Sequence, residues 1–132
     1  MAVIPIDFAN LVHVSDESPL VAYRITRVNG TDADIIESLR SNHELQKPPR
    51  GVEIEYPRIH EGISSHLTAR GAAEYVVRWP KLGEYIVRLE LDGPTGASSL
   101  IWGNPGHLTI WCDALTLRSH VTDTLTVQEV LQ

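Results

Sequence analysis

The sequence predicts a mixed α+β domain with a mainly antiparallel sheet and two main helices. Three observations carry that prediction. Leu20 to Val28 and Glu84 to Asp92 alternate apolar and polar residues, the period of a half-buried strand. Asp32 to Leu39 and Thr68 to Trp79 instead repeat their apolar residues at the helical period. The order is strand, helix, short strand, helix and then several strands, which suits an α+β domain.

In the first strand, Val21, Tyr23, Ile25 and Arg27 share one face, and Ala22, Arg24 and Thr26 share the other. Asn29-Gly30 then turns the chain. Thr31 or Asp32 caps the first helix, and Asp34 sits near the positive end of its dipole. Ile35, Ile36 and Leu39 make its buried stripe, with Glu37, Arg40 and Glu44 in solvent, and the helix frays near Asn42-His43. Asn29-Gly30-Thr31 matches a glycosylation acceptor, but no secretion signal accompanies it and it reads as a turn.

Lys47 to His60 reads as a loop. Pro48-Pro49-Arg50-Gly51 blocks regular structure, and Pro57 limits Val52 to Tyr56 to an edge strand. Gly62-Ile63-Ser64-Ser65 is a short strand running into a hydroxyl-bearing turn. The second helix follows, with Ala69, Ala72, Ala73 and Val76 on one face and Arg70, Glu74 and Arg78 as ion-pair partners opposite. Pro80 closes it.

The next strand sets Tyr85, Val87, Leu89 and Leu91 against Glu84, Arg88 and Glu90. Asp92 to Gly96 is a loop, and Gly103-Asn104-Pro105-Gly106 is a turn. In the strand from His107 to Asp113, His107, Thr109, Trp111 and Asp113 share a side, and Leu108, Ile110 and Cys112 take the other. A final strand falls within Val121 to Leu131.

Composition narrows the function classes. The 132 residues, 42% of them hydrophobic, suffice for a single domain spanning 1–132 with its own core. One cysteine, Cys112, excludes an internal disulfide and points to a reducing, cytoplasmic setting. The start lacks the pattern of a signal peptide, and no apolar run is long enough to span a bilayer, so no membrane role is expected. The net charge is −6 and only 11 basic residues are scattered along the chain, so a broad nucleic-acid surface is not expected, although a small basic pocket is compatible with these numbers.

Gly62-Ile63-Ser64-Ser65, followed by Ala72-Ala73-Glu74-Tyr75-Val76, resembles the strand-to-helix element of the ADP-ribosyltransferase superfamily. Tyr23-Arg24 is similar to an early strand position where several members carry an arginine or histidine. The segment Gly106-His107-Leu108-Thr109-Ile110-Trp111 is similar to one found late in small uncharacterised bacterial proteins. The resemblance implies an ADP-ribosyltransferase-like fold with NAD as cofactor, held by Arg24, Ser64 and Ser65 and stacked on Tyr75. It implies His107 as a candidate acid or base. The family's late glutamate has no counterpart between His107 and Asp113. Glu129, expected in the final strand, is the remaining candidate, and no Glu or Gln stands two residues before it.

Plainer roles exist for each residue. An arginine on a strand is often a salt-bridge partner, serines at such a turn cap helices, and Trp111 and Tyr75 suit a core. His60, His66, His107, Cys112 and Asp113 supply metal-ligand types, but their spacing matches no familiar zinc pattern. Cys112 alternates with core residues, which argues against a nucleophile. Two functions stand side by side: a nucleotide-binding ADP-ribosyltransferase-like domain, and a non-catalytic protein-interaction or immunity-type module on the same scaffold. An all-β immunoglobulin-like sandwich, suggested by Leu82-Gly83-Glu84-Tyr85, is opposed by the two amphipathic helices.

Overall fold

A computed structural model describes residues 6–27, 31–103 and 107–132. The turns expected at Asn29-Gly30 and through Asn104-Pro105-Gly106 lie outside the described residues. The architecture is mixed α+β as expected, but the strands read from sequence are divided between two antiparallel sheets rather than joined in one.

The first sheet is formed by β2 (Leu20–Thr26), β4 (Tyr85–Leu91) and β7 (Val121–Thr126), with β4 in the centre. Arg24 lies opposite Val87, and Tyr23 opposite Arg88. The second sheet runs in the order β1 (Val12–His13), β5 (Ser98–Trp102), β6 (His107–Trp111) and β3 (Ile63–Ser65). In it Ser64 faces Thr109 and Ser65 faces Leu108. Tyr23 and His66 join the sheets through a reciprocal pair of backbone bonds, Tyr23 N–H to His66 O at 2.8 Å and His66 N–H to Tyr23 O at 2.9 Å.

The main core lies between the sheets. Ala22, Val87 and Leu89 from the first sheet meet Ile63, Leu108 and Ile110 from the second. The helix α1 (Asp32–Ser38) adds Ile35 to this core, and Leu39 joins it from the helix's C-cap. Of the two caps the sequence allows, Thr31 is the one used, and it caps α1 reciprocally with Asp34. On the outer face of the first sheet, α4 (Ala69–Arg78) lays Ala72 and Ala73 directly on Ile86. Alanine at those positions permits close approach of helix to sheet. Thr68 caps α4, its hydroxyl accepting from Gly71 N–H at 2.9 Å.

Three expectations are corrected. The segment from Lys47 to His60 is not simply a loop: it contains α2 (Val52–Glu55) and α3 (Pro57–His60). Pro57 starts α3 rather than ending a strand, because a first-turn residue needs no N–H and its φ is already helical. The last strand stops at Thr126, and Glu129 lies in α6 (Val127–Leu131), where its N–H is capped by Thr126 Oγ1 at 3.0 Å. Asp113 does not continue β6. It caps α5 (Ala114–Ser119), accepting from Thr116 N–H at 2.9 Å.

The helices also overturn the all-β alternative. Leu82-Gly83-Glu84 does turn into β4, and Gly83 is required there. Its φ is 153°, and a Cβ there would clash with Thr26 O. Among the described residues, no helix is long and apolar enough to cross a membrane.

Candidate functional site

The residue that organises the site is Arg24. Strand alternation puts it on the same face of β2 as Ala22 and Thr26, the face turned toward the second sheet. Its Nη1 donates to Ser64 O at 2.6 Å, satisfying the outer edge of β3. Its Nε donates to Ser38 O at 3.2 Å, one of the unpaired carbonyls at the C-terminal end of α1. Arg24 therefore ties both sheets to the first helix, and among the described residues it has no carboxylate within salt-bridge distance. Burial alone lowers its guanidinium to about 10, so it stays cationic at neutral pH.

Arg24 opens onto a cleft of about 590 Å³ bounded by β2, α1, the segment after α1, β3 and, through Tyr75, the second half of α4. Arg27, Arg40 and Lys47 also line it, and Glu37 is the single carboxylate. Four of the chain's 11 basic residues thus meet in one cleft of a protein whose net charge is −6. That arrangement favours an anion bearing more than one charge. Thr26 belongs to the same wall, and its buried Oγ1 has no hydrogen-bond partner among the described residues.

The predicted residues separate into two groups. Arg24, Ser64 and Tyr75 all line the cleft. Ser65 does not: it points to the opposite side of β3 from Ser64, where it is 3% exposed and its Oγ has no partner among the described residues. His107 stands beside the cleft rather than in its wall. Its ring packs on Trp102 with centroids 4.7 Å apart, and its charge is felt by His66. Glu129 is exposed on α6 and lines neither this cleft nor the groove described next.

Sequence reasoning missed Arg27, Arg40, Lys47 and His66 as a set, because they come from separate elements and no local pattern unites them. His66 directly follows β3, and its ring sits 5.2 Å from that of Tyr75. Burial first, then the positive charges of His107 and Arg24, lower its proton affinity below the ordinary histidine value. A second, more apolar groove of about 720 Å³ lies on the far side of α4, between Val76, Tyr85, Val127 and Leu131.

Metal and thiol chemistry find no support in the geometry. No cluster of three metal-ligand side chains occurs among the described residues. His60 is instead held by Lys47 O at 2.8 Å and packs edge-on against His43. Burial, and then the charge of Asp113, raises the Cys112 thiol to about 11, which keeps it protonated and weakly nucleophilic.

Comparison with family models, curated proteins and solved structures finds no match to this chain. The cleft's own chemistry has to carry the functional reading.

Proposed function

We propose that this chain is an ADP-ribosyltransferase-like domain whose basic cleft binds NAD or a related nucleotide through its phosphates. The observation that carries this reading is Arg24, a partly buried cation with no carboxylate within salt-bridge distance among the described residues, which opens onto three further cations. Holding a partly desolvated charge without a counterion is costly, and an anionic ligand would supply the missing countercharge. Ser64 and Tyr75 fit the same reading, one offering a hydroxyl and the other an aromatic face at the cleft wall. If the domain turns over, oriented binding and electrostatic stabilisation of the nicotinamide–ribose bond's cleavage would provide the effect. Because Glu129 lies away from the cleft, the proposal is one of binding first.

The second reading is a non-catalytic interaction module. It draws on the apolar groove beside α4, near which Trp79 is 57% and Val77 62% exposed. Calorimetry with NAD, ADP-ribose and nicotinamide separates the two readings. Saturable binding of NAD and ADP-ribose, with nicotinamide much weaker, is expected for a phosphate-directed cleft. Absence of heat with either phosphate-bearing ligand at millimolar concentration would leave the interaction module.

A further inference from the structure

His66 occupies an unusual position. Its backbone is fixed by both hydrogen bonds to Tyr23, which anchors the base of the side chain at the junction of the two sheets. The ring lines the cleft together with Arg24, Ser64 and Tyr75. Its titratable and charged neighbours come from every side: Tyr23 and Arg24 on β2, His107 on β6, Tyr75 on α4, and Arg27, Glu37, Arg40 and Lys47 around the rest of the cleft. The next charged residues of α4, Arg70 and Glu74, satisfy each other at 3.0 Å on the outer surface. Among the described residues, no carboxylate lies within salt-bridge distance of the His66 ring. Among the described residues the imidazole therefore meets no carboxylate at close range, and its neutral form is more favoured than in an ordinary histidine while the cleft holds no anion.

An anion in the cleft reverses that balance. We propose that His66 is the proton-coupled binding residue of the cleft: an anionic ligand bound there draws a proton onto the imidazole, so affinity rises as pH falls. This inference rests on the anion-binding reading above and adds to it a residue and a linkage. Opposite charge within about 4–6 Å favours the protonated form by about 1–3 pKa units, which opposes the burial and the neighbouring positive charge that lower the proton affinity of His66. The bound state then carries one more proton than the free state. Binding strengthens as pH falls through the interval between the two midpoints and levels off below the lower one.

Two measurements on the whole chain test this. Histidine ring NMR follows each imidazole with and without sulfate, an anion whose own charge does not change across the range. His66→Gln assigns the resonance. The free-protein midpoint is expected below about 6.5, rising by about one unit or more with saturating sulfate. In parallel, calorimetry follows NAD affinity from about pH 7.5 to about pH 5.5, where the gain is expected to be about tenfold in the wild type and under about twofold in His66→Gln. A His66 midpoint unmoved by sulfate, or an equal pH slope in His66→Gln, overturns the inference. NAD binding with a flat pH profile likewise overturns it and leaves the nucleotide reading standing. A sulfate-shifted His66 with no NAD binding supports the coupling and sinks the nucleotide reading instead.

Discussion

Replacing Arg24 by methionine keeps the aliphatic stem and removes the charge, and it separates ligand binding from folding. Two charge-assisted bonds are lost, to Ser38 O and Ser64 O. At about 1.5–3 kcal/mol each, they would cost about 3–6 kcal/mol if nothing opposed them. Something does oppose them. Lowering the guanidinium to about 10 reflects a folded-state penalty on the charge. Against an unperturbed value of at least about 12.5, that penalty is on the order of 3 kcal/mol, and it vanishes with the charge. The net change is therefore on the order of 0–3 kcal/mol, and the domain should remain folded in Arg24→Met. Ligand binding has no such compensation: losing a charged phosphate contact should weaken NAD by about 2 kcal/mol or more, roughly thirtyfold. Denaturant unfolding and calorimetry on the same sample give both numbers. Unchanged NAD affinity would refute the phosphate-clamp assignment, and complete unfolding would show that the guanidinium acts chiefly as a structural staple.

Other predictions follow from single contacts. Ala72→Leu forces a larger side chain between α4 and Ile86 and should cost about 1–3 kcal/mol, read as a lower denaturant midpoint. Glu129→Gln should leave NAD affinity within about twofold, since this exposed residue lines neither cleft; a larger calorimetric loss would bring α6 into the site. Cys112 should react slowly with a thiol reagent at about pH 8. Its raised pKa means that its contribution to stability is complete below the unfolded thiol value near 8.5 and fades as pH climbs toward about 11, which alkaline unfolding followed by circular dichroism will register.

Elements governed by nearby residues were legible in the sequence. The cap of α1, read as Thr31 or Asp32 and found at Thr31, the alanine face of α4, and the alternation from Tyr85 to Leu91 each act within a few positions. The short helices were obscured because proline carries two meanings. Pro57 breaks a strand pattern but is equally suited to begin α3, and burial of Ile59 decides for the helix. The start of α6 was written as Thr126-Val127-Gln128-Glu129, a capping pattern that could have identified it. Arg24 could be found from the strand alone, since it shares a face with Ala22 and Thr26. Its companions could not: Arg27, Arg40, Lys47 and His66 become neighbours only when β2, the segment after α1 and β3 converge.

The backbone junction between Tyr23 and His66 also determines which motions reach the cleft. Each sheet has its own internal hydrogen-bond ladder, whereas among the described residues a single residue pair stitches one ladder to the other. A proline at either position would delete one stitch without touching the remaining pairs of either sheet. The bond from Arg24 to Ser64 O would then carry more of the seam beside the cleft. A ligand spanning Arg24 and Ser64 acts in the opposite sense, as a clasp across that seam. The amide protons of Tyr23 and His66 are thus where tightening of the whole domain by a ligand would first register.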